Sequence, residues 1–149
     1  MRYVRAVAGA DVAEDVASQV WVEVVGRGSE FRGDQAALRR LVFATARRRA
    51  LDQRRRWWRR KVSLHAPGDR VLDRAAPEDL QDVERDRALT WIGRLPRAHA
   101  EVVLLRVLGG LSTEEVAQLT GRSPGAVRVL QHRALRRLAS DLRRDGGEV

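Results

Sequence analysis

Positive charge is concentrated in one segment of the sequence, FATARRRALDQRRRWWRRK, which covers residues 43–61. The segment holds nine arginine or lysine residues, one carboxylate (Asp52) and two adjacent tryptophans (Trp57 and Trp58). Guanidinium groups bind phosphate oxygens, and planar side chains can stack on bases that have left a duplex. A run this dense in like charge repels itself unless a polyanion lies against it. These residue types therefore favour contact with a nucleic acid, while packing against the preceding helix is a competing role for at least one tryptophan.

The composition of the whole chain agrees with a polyanionic partner. The chain has 149 residues and a net charge of +9, which favours nucleic acid or an anionic membrane surface. The absence of cysteine excludes disulfides and zinc–thiolate sites. No apolar run is long enough to span a membrane, and the N-terminus lacks the apolar segment of a signal peptide. We therefore expect a cytoplasmic protein with no cofactor and no metal.

A helix-turn-helix pattern lies in residues 111–138. Ser112 and Glu115 have the spacing of a capping box at the start of a short helix. Gly121 can supply the positive φ that a tight turn needs. Ser123 can cap the next helix, and Pro124 suits its first position, where a missing N–H costs nothing. The spacing therefore predicts two helices joined by a tight turn.

The second helix of this pair has two chemically different faces. At 100° per residue, one arc is apolar and the opposite arc is polar and cationic. Arginine can bind guanine edges, and a small apolar side chain can touch a thymine methyl group, so the polar arc suits a recognition helix in the major groove. Gln131 lies at the edge of the apolar arc and is expected to hydrogen-bond locally. The apolar arc consists of Val127, Leu130, Ala134, Leu135, Leu138 and Leu142. The predicted DNA-binding residues are Ser123, Pro124, Gly125, Arg128, Val129, His132, Arg133 and Arg136.

The remaining patterns predict an all-α fold with two small helical domains. A helix follows Asp11, which is expected to cap it with Glu14 at the capping-box position. A glycine-rich break covers residues 26–34, and a long helix follows at about residues 35–61. Residues 62–84 contain prolines and scattered charges, which is typical of a linker. We therefore expect domains at residues 1–61 and 85–144.

The two domains together resemble an extracytoplasmic-function (ECF) sigma factor of the sigma-70 family. The stretch LPRAHAEVVLLRVLGGLSTEEVAQLTGRSPGAVRVLQHRALRRL, residues 95–138, resembles region 4 of that family. AEDVASQVWVEVV resembles region 2.2, and FRGDQAALRRLVFATARRRALDQRRR resembles regions 2.3 and 2.4. Two separate motifs in the right order are more specific than a lone helix-turn-helix. The N-terminal MRYVRAVAG resembles only the last part of the first helix that the family usually has.

The resemblance implies a function and a set of partners. Region 2 would bind the β′ clamp helices of core RNA polymerase and open the −10 promoter element, and region 4 would read the −35 element and meet the β flap. Many members also bind an anti-sigma factor. The family's Ala-Arg-Asn-x-x-x-Asp stretch matches this chain from Ala46 to Asp52, with Arg48 in place of the asparagine. The implied −10 contacts are Phe31, Arg47, Arg48, Asp52, Arg55 and Arg56. The implied polymerase contacts are Asp15, Ser18, Gln19 and Trp21.

Three other classes of protein stay open at this point. A dimeric helix-turn-helix regulator would bind a palindromic duplex without polymerase, although a dimerisation helix rarely concentrates like charge. An amphipathic membrane-surface protein would leave the helix-turn-helix unexplained. An enzyme is disfavoured because the chain has no P-loop and because its histidines lie far apart without a catalytic constellation. The three histidines are His65, His99 and His132.

Overall fold

The computed structural model describes residues 2–61 and 80–146. In these two ranges the chain forms α-helices and no β-strand, which confirms the all-α prediction. The chain divides into two compact units between residues 75 and 76. Most of the predicted linker, residues 62–79, lies outside the described residues. The first helix of the second unit begins at Leu80, earlier than the expected start at residue 85.

The first unit consists of α1 (Arg2–Ala8), α2 (Ala10–Gly26) and α3 (Gln35–Lys61). Both short helices pack on α3, whose bounds match the sequence prediction. Val16, Val20 and Val24 of α2 lie on one face and are buried. The ring of Tyr3 meets that of Phe43 edge-on, with centroids 5.5 Å apart. The core of this unit includes Tyr3, Val4, Ala6, Val16, Val20, Val24, Thr45, Ala46 and Ala50.

The prediction that Asp11 caps α2 is wrong. The helix begins at Ala10, two residues before the start that a cap at Asp11 predicts, and its cap residue is Gly9, which has φ 97° and makes no side-chain capping bond. The N–H of Gly9 donates to the carbonyl of Arg5 and so closes α1, which lets α2 start almost without a break. Asp11 lies in the first turn of α2, where a carboxylate still favours the positive end of the helix dipole.

One carboxylate of α2 joins three arginines. Oε2 of Glu23 accepts hydrogen bonds from Nε and Nη2 of Arg49 at 3.1 and 2.9 Å. Oε1 of Glu23 accepts from Nη2 of Arg48 and lies 3.0 Å from Nη2 of Arg27. The Glu23 side chain is only 12% exposed. The Arg49 hydrogen bonds, with those of Arg48, lower the pKa of Glu23 despite the opposing effect of burial. This cluster ties the middle of α3 to the end of α2.

The second unit consists of α4 (Leu80–Gly93), α5 (Arg97–Val107), α6 (Thr113–Thr120) and α7 (Pro124–Gly146). Helix α5 packs on α4, α6 and α7, and α6 also packs on α7. Apolar residues of α5 and the start of α6 make the core, and the guanidinium of Arg94 lies 4.2 Å from the centre of the Trp91 ring. The core residues include Ile92, Leu95, Ala100, Val102, Val103, Leu104, Leu105, Leu111, Val116, Val127 and Ala134.

The local signals of the helix-turn-helix are confirmed. The N–H of Glu115 donates to Oγ of Ser112 at 3.1 Å, and Oε2 of Glu115 accepts from the N–H of Ser112 at 2.8 Å. Gly121 ends α6 in the left-handed conformation with φ 69°. Oγ of Ser123 accepts from the N–H of Ala126 at 3.1 Å and so caps α7. A serine cap of this kind contributes about 1 kcal/mol to helix stability.

We predict that Glu23→Gln destabilises the first unit at neutral pH by about 1–2 kcal/mol, because it removes the charge that the arginines bind. The pKa of Glu23 is lower in the folded state than its ordinary value near 4.5. Its contribution is therefore complete above that value and declines as the pH falls through the lowered folded pKa. Urea unfolding of both proteins at pH 7 and at pH 3 measures this difference, which should shrink at the lower pH.

The matched control is Glu14→Gln, which removes an exposed carboxylate from the same helix. It should cost less than about 0.5 kcal/mol. A Glu23→Gln protein as stable as the original chain at pH 7 would contradict the assignment.

Candidate nucleic-acid interface

The polar face of α7 is open to solvent, as the sequence predicts. Val127 and Ala134 are fully buried on the opposite side of the helix, and this fixes the rotation of α7 about its axis. Val129 is 48% exposed in the middle of the cationic side chains. The fold thus places the apolar side chain of Val129 beside several guanidinium groups on one face of α7. All eight predicted residues are exposed: Ser123, Pro124, Gly125, Arg128, Val129, His132, Arg133 and Arg136.

Arg128 is held by a carboxylate of the neighbouring helix. Its Nη2 lies 3.2 Å from Oε1 of Glu114, and the two side chains are 62% and 63% exposed. An exposed pair of this kind contributes little to stability, so it can open for another anion at small cost. The pair holds the Arg128 side chain between α6 and α7.

Arg106 of α5 joins the recognition helix to the loop before α6. Its Nε donates to Oε1 of Gln131 at 3.2 Å, and its Nη1 donates to the carbonyl of Leu111. Gln131 was expected to hydrogen-bond locally, but its partner is 25 residues away on another helix. The sequence did not single out Arg106, since an arginine in a helical pattern gives no sign of the partner it will find. These bonds restrain the position of α7 relative to α5 and to the loop before α6.

The apolar arc of α7 is narrower than the sequence predicts. Leu135 and Leu142 are 49% and 51% exposed. Both lie at the edge of the arc, and α5 and α6 are too short to cover the whole length of α7. Leu130 and Leu138 are half-buried, so the tight contacts concentrate around Val127 and Ala134.

The cationic half of α3 is exposed along its outer side. Arg55 and Arg56 are exposed, whereas Arg47 and Asp52 are half-buried. Arg48 is 52% exposed, but Glu23 binds its guanidinium. The tryptophan rings lie edge-on to each other with centroids 5.6 Å apart, and Trp57 is 38% exposed. The tryptophans thus pack partly on each other at the end of this half of α3.

Phe31 lies half-buried in the loop between α2 and α3. Oδ1 of Asp34 accepts from the N–H of Ala37 at 2.8 Å and caps α3 directly after this loop. A Cβ atom at Gly33 would lie 2.8 Å from the Cβ of Ala37 and 3.1 Å from Cζ of Phe31. Only glycine therefore lets the ring lie this close to the start of α3.

The outer face of α2 carries the four predicted polymerase contacts. Asp15, Ser18 and Gln19 are exposed, and Trp21 is 51% exposed. Val22 and Val25 lie on the same side and are 74% and 73% exposed. These two valines were not among the predicted polymerase contacts, which came from the family resemblance. A helical wheel places both next to Ser18, which was the signal available.

The described parts of the chain contain no metal-binding cluster. No three histidine, aspartate or glutamate side chains there could hold one metal ion. Burial, and then the positive charges of Arg133 and Arg137, lower the pKa of His99. A lowered pKa on a helix-packing histidine indicates no chemistry by itself. None of the described helices combines the length and apolar character that crossing a lipid bilayer requires.

Comparison with known proteins matches the chain to one family. Residues 85–138 match the family model for sigma-70, region 4. The chain is 36% identical over 133 residues to the ECF RNA polymerase sigma factor ShbA of Streptomyces griseus, covering 84% of this chain and 69% of ShbA. It is 32% identical over 134 residues to the ECF RNA polymerase sigma factor SigD of Mycobacterium tuberculosis, covering 87% of this chain and 63% of SigD.

A solved structure supports the fold. The sigma factor RpoE from Bartonella quintana, crystallised with the anti-sigma factor NepR, aligns with a TM-score of 0.70 and 21% identity. The alignment covers 95% of this chain and 88% of that one. The region 4 match, the two-unit helical fold and relatives more than 30% identical over most of the sequence agree with one another. The chain therefore belongs to the ECF sigma factors of bacterial RNA polymerase.

Proposed function

We propose that the two units divide promoter recognition between them. The chain is a sigma factor that binds core RNA polymerase and directs promoter-specific initiation. In the proposed division, region 2 in residues 1–61 opens the −10 element, residues 62–84 link the domains, and residues 85–144 read the −35 element as duplex. The single observation that carries this proposal is the exposed cationic face of α7, which lies within the sequence that matches region 4.

The region 4 match favours polymerase-dependent recognition over the dimeric regulator. The proposed partners are the β′ clamp helices for α2, the β flap for the second unit and promoter DNA for α3 and α7. Because these partners act in the bacterial cytoplasm, we place the chain there. The relatives are transcription initiation factors, so we propose no catalytic activity. The family resemblance also predicts an anti-sigma factor, and a sigma factor of the same fold has been crystallised with one.

The function is tested by co-purifying the chain with bacterial core RNA polymerase and transcribing a library of promoters. We expect stable association and initiation from promoters that share a −10 and a −35 sequence. The transcripts would yield both preferences at once. Tight binding to a palindromic duplex without polymerase association would support the dimeric regulator instead.

We predict that Arg128→Ala weakens recognition of the cognate −35 duplex by about 1–3 kcal/mol and leaves polymerase binding intact. The side chain is exposed on the proposed reading face, and its guanidinium pairs with the exposed carboxylate of Glu114. Competition for the holoenzyme between promoters with intact and scrambled −35 elements measures the effect. Glu114→Gln is the matched control, because it frees Arg128 without removing it. An equal loss on both promoters would mean that Arg128 binds only phosphate.

We predict that Val22→Asp together with Val25→Asp weakens core polymerase binding at least tenfold. Both side chains are largely exposed, so the change should leave the fold intact, but it would place two charges in the centre of the proposed docking face. Ala36→Asp, at an exposed position in the first turn of α3, controls for added charge in the same unit. Unchanged affinity in a DNA-free pull-down or interferometry assay would remove the valines from the interface.

A further inference from the structure

Glu23 lies among the positive charges of the first unit, and its contacts bear on which arginines can reach DNA. Both of its oxygens are used: Oε2 by Nε and Nη2 of Arg49 at 3.1 and 2.9 Å, and Oε1 by Arg48 and Arg27. Arg48 is 52% exposed and is bound through Nη2, so an anion that takes this N–H group must displace the carboxylate. Arg49 is 35% exposed and is bound through two of its N–H groups.

A phosphate that recruits Arg48 or Arg49 must compete with an intramolecular carboxylate. The Glu23 side chain is 12% exposed, and losing Arg48 and Arg49 would leave a largely buried charge with Arg27 as its remaining partner. Exchange is therefore less favourable here than at the exposed Arg128–Glu114 pair, where both side chains are more than half exposed. Arg55 and Arg56, which were predicted with Arg48 to contact DNA, are exposed and lie beyond the part of α3 that contacts Glu23.

Arg55 and Arg59 continue the face of α3 on which Arg48 lies. They follow Arg48 by seven and eleven residues, close to two and three helical turns, so the three side chains form one stripe. Arg55 and Arg59 are exposed and lie beyond the part of α3 that contacts Glu23. Glu23 thus neutralises one end of the stripe and leaves charge at the other.

We propose that Glu23 is a positioning residue that withholds Arg48 and Arg49 from DNA, so that phosphate contact in the cationic segment 43–61 falls on the part from Arg55 onward. The proposal rests on the function proposed for α3 and revises the part assigned there to Arg48. It means that a carboxylate of the polymerase-facing helix limits how much of the cationic helix can bind nucleic acid without regard to sequence. The opened strand would then be held mainly at the C-terminal half of α3.

The test uses the full chain and a fluorescent oligothymidine, with affinity measured by anisotropy over a range of salt concentrations. For single strands, each phosphate contact contributes about 0.7 to the slope of log affinity against log salt. Arg55→Ala should lower the slope by about 0.7 and weaken binding about fivefold at 0.1 M salt. Arg48→Ala should leave slope and affinity unchanged. Glu23→Gln should steepen the slope by about 1.4 through release of Arg48 and Arg49, and by up to about 2.1 if Arg27 also binds phosphate.

Two controls separate this effect from net charge and from unfolding. Glu14→Gln makes the same charge change on α2 and should not alter the slope. Arg48→Ala keeps Glu23 paired with Arg49, so it provides a folded variant if Glu23→Gln unfolds, which circular dichroism will show. An Arg48→Ala slope lowered as much as that of Arg55→Ala would overturn the proposal and leave the sigma function standing. If Arg55→Ala has no effect, both this proposal and the assigned role of α3 fail, while polymerase-dependent transcription still tests the function separately.

Discussion

Repulsion along α3 is the constraint on which the first unit depends. A helix with nine cations in its last nineteen residues has to be held by something other than its own backbone. Burial of Thr45, Ala46 and Ala50 stabilises the part of α3 that comes before most of these cations. In the middle of α3, the guanidinium groups of Arg48 and Arg49 bind the carboxylate of Glu23 on α2. Two charges that would otherwise repel their neighbours therefore stabilise the packing of α3 on α2. Toward the C-terminus of α3 the cationic side chains are exposed, so a polyanion would bind most favourably there.

The second unit handles its charge differently. Its cationic residues lie on the side of α7 away from the core, and Val127 and Ala134 anchor the other side. Serine and glutamate capping fixes where α6 and α7 begin, and Arg106 links α5 to α7 through Gln131. The cationic face of α7 is thus set by local capping and a few tertiary bonds. Arg48 and Arg49 of the first unit are bound to a largely buried carboxylate, whereas Arg128 of the second unit is paired with an exposed one.

The features that the sequence predicts well are the local ones. The bounds of α3, the capping box at Ser112, the left-handed Gly121 and the cap at Ser123 follow from residue types within a few positions of one another. The predicted start of α2 was wrong because Gly9 joins α2 directly to α1. A search for side-chain caps does not detect such a junction. The exposure of Leu135 and Leu142 depends on the lengths of neighbouring helices. The pairing of Glu23 with Arg48 joins residues 25 positions apart, and no periodicity reveals it. The exposed Val22 and Val25 were within reach of a helical wheel.

Gly33 links the loop of the first unit to the helix that follows. A methyl group there would meet the ring of Phe31 on one side and the rigid Cβ of Ala37 on the other. The ring can move, whereas the Cβ is fixed to the first turn of α3. Residue 33 therefore cannot change on its own without moving either the aromatic ring or the start of the helix. In the descent of this chain, the glycine, the phenylalanine and the small residue at position 37 would be expected to change together or to stay together.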